Sequence, residues 1–200
     1  MISDKFVILG AVLNLMGSSR YVWDVLKGRA KPNRVTFFLW ALAPLIAFGA
    51  EIHEGVGLRS LMTFMVGFGP LIILLASFLN RGSVWKITTF DIVCGILSLL
   101  GLLLWLITRH GNVAIFFSIL ADGLAALPTV VKSYHHPETE SYLVYLNGAI
   151  SAAITLLTIN NWTFANYGFP LYILVICAIL FVLIKLRPQK TIIAKQTDDT

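Results

Sequence analysis

One carboxylate, Asp122, stands in the middle of the apolar run "NVAIFFSILADGLAALPTVV". An ionisable group in hydrocarbon is expensive. Where one occurs, it faces a cavity, pairs with another group, or handles a proton or solute. Asp122 lies ten residues into Asn112–Val131, about 15 Å along a helix and near the centre of a bilayer. It reads as a substrate or proton-coupling site, against the alternative of a structural acid. Asn14 and Asn147 are uncharged donors and acceptors in two other apolar runs. They can hold a solute or join helices by hydrogen bonds. Trp40 and Tyr145 can form flat walls for a ring-shaped solute, or serve as ordinary packing. Arg20, Asp24 at i+4, and Asp91 place opposite charges at a similar estimated depth, about 9 Å inside one boundary. They read as a structural pair, Arg20 with Asp24 or with Asp91, or as a gate made of the same residues.

Other chemistries find less support. Asp91 and Asp122 resemble an intramembrane protease pair only superficially, because their depths differ and no GxGD motif accompanies Asp122. A retinal carrier needs a lysine within the seventh span, and Lys185 stands at its end. His53, His110, His135 and His136 share no i, i+4 face, so no zinc site is expected. Cys94 and Cys177 fall inside apolar runs without a CxxC motif and read as buried thiols. "NWT" at 161–163 matches a glycosylation acceptor placed close to the membrane. Neither enzymatic activity nor a cofactor is expected.

The elements that must position these residues follow from composition. The chain has 200 residues, 58% hydrophobic and 12% charged, against about 25% charged in soluble domains. Its solvent is therefore lipid. The expected spans are Phe6–Leu26, Val35–Ala50, Leu61–Leu79, Trp85–Thr108, Asn112–Val131, Tyr142–Ile159 and Tyr167–Leu186. The second is short enough to need a thin or adapted boundary. Lys27, Arg29, Lys31, Arg34, Arg81, Lys86, Lys132, Lys185, Arg187, Lys190 and Lys195 fall on one side of this arrangement; Lys5, Arg59 and Arg109 fall on the other. That asymmetry predicts an N-terminus outside and a C-terminus in the cytoplasm. It also accounts for the net charge of +5 without nucleic acid as a partner. A plasma or inner membrane is the expected location, and self-association in the bilayer is left open. Lys5 followed by "FVILGAVLNLMGSS" has the look of a signal peptide, but its removal would leave six spans and break the internal repeat.

That repeat appears at an offset of 105 residues, which places Lys132 on Lys27, Pro137 on Pro32, Ser141 on Thr36, Asp122 on Gly17 and Tyr145 on Trp40. Span one pairs with five, two with six, and three with seven at a looser register; span four has no partner. A three-span repeat ends on the side opposite its start. One extra crossing returns the chain, so both repeats run in the same direction. The expected fold is all-α and integral to the membrane, with seven transmembrane helices in a 3+1+3 plan. Residues 1–84 form the first repeat, 85–111 the inversion-linker helix, 112–188 the second repeat, and 189–200 a cytoplasmic tail without structure. Pro44, Pro70 and Pro128 remove backbone hydrogen bonds inside spans and read as hinges. Lys132 is expected to anchor at the headgroups, and Thr139 or Ser141 to cap span six beside Glu138 and Glu140. Pro32, Asn33 and Thr36 are expected to play similar parts in the first copy. Gly17 would leave room beside Asp122. Trp85, Trp105 and Trp162 read as interface anchors.

The plan resembles the SWEET and PQ-loop superfamily of seven-helix carriers. The local features that carry the resemblance are Pro128, "KS" at Lys132–Ser133 and "TES" at Thr139–Ser141, which look like the family's proline, loop "KS" and T-x-G-x-S pattern. Thr129 stands where a PQ motif has glutamine, and Trp23 where the first repeat has proline. Spans three and seven lack the mid-span asparagine of sugar-carrying relatives. The resemblance implies a facilitator or proton-linked carrier of a small polar solute such as a sugar, working by alternating access between two helix bundles. The alternatives are a vitamin or nucleoside carrier on a related fold, or a non-transporting receptor or scaffold that uses His135 and His136 on its cytoplasmic face.

Overall fold

Seven apolar runs separated by short polar loops become seven helices in the computed structural model, which describes residues 2–80, 82, 85–108 and 111–186. Arg81, Arg109, His110, Arg187, Lys190, Lys195 and the tail 189–200 lie outside the described residues, as does the side chain of Trp105. The helices are α1 Phe6–Leu26, α2 Arg34–His53, α3 Ser60–Leu79, α4 Thr89–Thr108, α5 Gly111–His135, α6 Tyr142–Leu157 and α7 Phe164–Phe181, the last continuing through a wider turn, Val182–Leu186. Single 3-10 turns, Gly57–Arg59 and Pro137–Thr139, precede α3 and α6. No strand occurs among the described residues. Five of the helices, α1, α2, α3, α5 and α7, are long and apolar enough to cross a membrane.

Local chemistry sets the helix ends. Asn33 caps α2, its side-chain oxygen accepting from the backbone N–H groups of Val35 at 3.1 Å and Thr36 at 3.4 Å, which satisfies two otherwise orphaned donors. Gly28 and Gly55, with φ of 76° and 74°, turn the chain just beyond α1 and α2 through a conformation that a side chain would oppose. α2 has 20 residues, so it needs no thinned boundary. The short helix is instead α6, with 16 residues, about 24 Å by helical rise. The helices run through Pro44, Pro70, Pro128 and Pro170.

α3 packs between α1 and α2, and α7 between α5 and α6. α1 also meets α6, α2 meets α5, and α4 lies mainly on α5 with a lesser contact to α2. Large apolar side chains stay exposed along the outer faces, among them Ile8, Val12 and Leu15 of α1 and Ile92, Ile96 and Leu103 of α4. A coat of this kind suits hydrocarbon rather than water.

The loops alternate between two ends. At one end the Lys31 N–H donates to the Thr139 carbonyl at 3.0 Å, and the Trp85 N–H to the Pro32 carbonyl at 3.2 Å. The loops α1–α2, α3–α4 and α5–α6 therefore meet there. At the other end Arg59 faces Asp4 at 3.8 Å and donates to the Thr158 carbonyl at 3.4 Å, joining the N-terminal residues to the loops α2–α3 and α6–α7. The end that gathers Lys27, Arg29, Lys31, Lys86 and Lys132 is the basic one.

Candidate functional site

Helices of this thickness can surround a cavity only where small side chains let some of them approach closely. Gly17 is such a place: a β-carbon there would stand 3.0 Å from the Val144 Cα. Its smallness brings α1 onto α6 rather than leaving room beside Asp122 as expected. Gly148 likewise accommodates the Cys177 sulfur of α7, which would lie 2.9 Å from an added β-carbon.

Between the helices lies a central cavity of about 60 Å³. Asp122 of α5, Asn14 and Ser18 of α1, Trp40 of α2 and Tyr145 of α6 line it, with Pro70 of α3. Asp122 is 2% exposed. The Tyr172 hydroxyl donates to its Oδ2 at 2.6 Å, and the Trp40 indole N–H donates to its backbone carbonyl at 3.3 Å. Asp122 Oδ1 and Ser18 Oγ are buried without a hydrogen-bond partner among the described residues. Buried polar atoms in native proteins are nearly always partnered by protein, water or ligand. Two such atoms belong to residues that line this cavity. The Trp40 and Tyr145 rings meet edge to face with centroids 6.3 Å apart.

Toward the basic end the cavity runs into a polar network. Tyr145 and Tyr21 donate to Glu140 Oε2 at 3.0 and 2.6 Å, and Lys132 Nζ lies 2.6 Å from Glu140 Oε1. Lys132 also donates to the Lys31 carbonyl and sits 5.0 Å from the Trp85 ring centroid. Above the network the rings of Tyr21, Phe37 and Trp40 follow one another at 5.3 and 5.4 Å. Lys132 is 3% exposed. It is therefore a buried ion-pair partner, not a headgroup anchor: α5 runs on to His135 and the 3-10 turn folds Glu140 back over it. Ser141 does not cap α6 with its side chain but donates to Asp24 Oδ2 at 3.0 Å, while the Thr139 hydroxyl donates to the His136 carbonyl. Trp85 packs its ring on His136, whereas Trp162 is exposed.

The expected gate separates into two places. Arg20 pairs with Asp24 at 3.4 Å, and Arg29 approaches the same carboxylate at 3.9 Å. These three line a second cavity of about 270 Å³ at the basic end. Asp91 is not with them. It accepts from the Asn33 side-chain amide at 2.7 Å and from the Thr88 hydroxyl at 2.8 Å, tying the start of α4 to the cap of α2. Asn147 is outside the central lining too, because its amide donates to the Leu13 carbonyl at 2.8 Å in the α1–α6 contact. Of the three hinge prolines only Pro70 lines the cavity; Pro44 and Pro128 are buried within α2 and α5.

Sequence reasoning missed Ser18, Phe37 and Tyr172, because a small or aromatic residue in an apolar run carries no signal of its own; Cys177, read there as a buried thiol, also lines the cavity. It also missed Glu51, 1% exposed, which accepts from the Thr63 hydroxyl at 3.0 Å and lies one residue beyond the expected span. Among the described residues no group of three or more histidines, cysteines, aspartates or glutamates is placed to hold a metal. No family model matches the chain, and neither a curated protein nor a solved structure matches it.

Proposed function

We propose that the chain is a seven-crossing membrane carrier of a small polar solute, in which α1–α3 and α5–α7 are two parallel three-helix units joined by α4. The contact pattern supports this reading through its self-consistency. The packing of α3 between α1 and α2 repeats as α7 between α5 and α6, and the contact of α1 with α6 repeats as that of α5 with α2. A pseudo-twofold axis between the units maps each set of contacts onto the other. The basic end then faces the cytoplasm and the N-terminus lies outside.

The observation that carries the transport reading is the central cavity whose lining includes two residues with unpartnered polar atoms, Asp122 Oδ1 and Ser18 Oγ, at the junction of the units. At the basic end, contacts between the units seal it: Tyr21 to Glu140, Ser141 to Asp24, and the loop bonds from Lys132 and Lys31. Access from the cytoplasm requires these bonds to part while Lys132 and Glu140, both in the second unit, stay together. The prolines in α2, α3, α5 and α7 are the places where the helices can bend as the units rock.

The test is uptake by proteoliposomes across a panel of labelled sugars, nucleosides and amines, with and without a pH gradient. Flux of at least one solute, lost in Asp122→Asn while the fold is retained, is the expected result. Absence of flux for every solute leaves a receptor or scaffold on the same fold. Transport by Asp122→Asn with unchanged rate and pH dependence makes Asp122 a structural acid.

A further inference from the structure

Three donors around the central cavity are committed to the protein itself. Tyr172 donates to Asp122 Oδ2, Trp40 to the Asp122 carbonyl and Tyr145 to Glu140. What remains without a partner among the described residues is a carboxylate oxygen, Asp122 Oδ1, together with the Ser18 hydroxyl and the Asn14 amide, both of which can donate as well as accept. Asp122 Oδ1, which as a carboxylate oxygen only accepts, calls for a donor on the occupant. A positive charge on that occupant would offset the charge of the carboxylate. Among the described residues no lysine, arginine or histidine lines the cavity, and Lys132 and Arg20 are engaged elsewhere, with Glu140 and Asp24. A carboxylate buried without a countercharge is costly. The remaining walls include the rings of Phe37, Trp40 and Tyr145, whose faces attract cations. A bare hard metal ion would ask for about six oxygens, more than these largely apolar walls supply.

We propose that the solute of the central cavity is a small planar organic cation rich in N–H donors, of the guanidinium or amidinium class, with Asp122 as its countercharge. This rests on the carrier reading and narrows it. One edge of the cation donates to Asp122 Oδ1 and Ser18 Oγ, and its face lies against the aromatic wall. The space of about 60 Å³ admits the cationic group itself; a larger body attached to it requires the units to open.

The test compares guanidinium with urea, a neutral molecule of the same shape, and with glucose, on the purified full chain. Titration calorimetry should find guanidinium bound at least about tenfold more tightly than urea, the difference that one hydrogen bond to a charged group supplies. Asp122→Asn should erase that preference, and Ser18→Ala should weaken guanidinium severalfold without reversing it. Equal or tighter binding of urea or glucose, or binding of none of the three, overturns the cation assignment. The wild-type comparison decides this even if a variant misfolds. Flux in proteoliposomes separates the two levels. Guanidinium that binds without crossing refutes the carrier and leaves the cation site standing, whereas glucose that crosses while guanidinium does not refutes the cation class and leaves the carrier standing.

Discussion

Replacing Lys132 with methionine keeps most of the side-chain volume and removes the ammonium that Glu140 faces at 2.6 Å. The pair is almost wholly buried: the two side chains are 1% and 0% exposed. Breaking a buried pair from one side costs about 3–5 kcal/mol, because the remaining charge loses its partner. Glu140 would keep its bonds from Tyr21 and Tyr145, which places the expected loss near the lower end, about 3 kcal/mol. For a chain of this size that corresponds to a fall in Tm of about 6–12 °C, readable by thermal unfolding in detergent. The double variant Lys132→Met with Glu140→Gln removes both charges and should recover part of the loss, with a coupling of about 1–3 kcal/mol. A lysine resting at the headgroups would behave differently, since exposed ion pairs contribute about 0–1 kcal/mol. A Lys132→Met protein within about 1 kcal/mol of wild type, or a double variant no better than the single, refutes the buried network.

Tyr21→Phe deletes the bond from α1 to Glu140 of the α5–α6 loop, so, if that bond closes the cavity as proposed, a cysteine placed at Ser18 should react faster with a polar thiol reagent added from the basic end, at a stability cost of about 1–2 kcal/mol; unchanged reactivity removes Tyr21 from the proposed closure. Gly17→Ala sets a β-carbon 3.0 Å from the Val144 backbone and should cost about 1–3 kcal/mol by forcing α1 from α6, with a stability equal to wild type contradicting that close approach. In a background lacking Cys94 and Cys177, cysteines at Ser3 and His135 should label from opposite sides of the membrane, and labelling from the same side rejects the seven-crossing topology.

Hydropathy along the chain was enough to locate seven helices, because a run of apolar residues in a chain with so few charges has no other way to satisfy its backbone in lipid. It was also enough to single out Asp122, because an ionisable residue in such a run is expensive and rare. The 105-residue offset placed Trp40 and Tyr145 at corresponding positions, and the fold brings their rings together. The partners of polar groups were beyond the reach of the sequence. Lys132 at the end of an apolar run reads as an anchor until the 3-10 turn carries Glu140 back over it and α1 adds Tyr21. Asp91 and Arg20 share an estimated depth, yet α4 begins at Thr89 and turns Asp91 to Asn33. Asn147 and Gly17 have their roles set by the α1–α6 contact, and Tyr172 reaches Asp122 only because α7 packs on α5. Depth along a helix follows from counting residues, but the direction in which a side chain points depends on the rotation and crossing of two helices, and only the tertiary structure decides that.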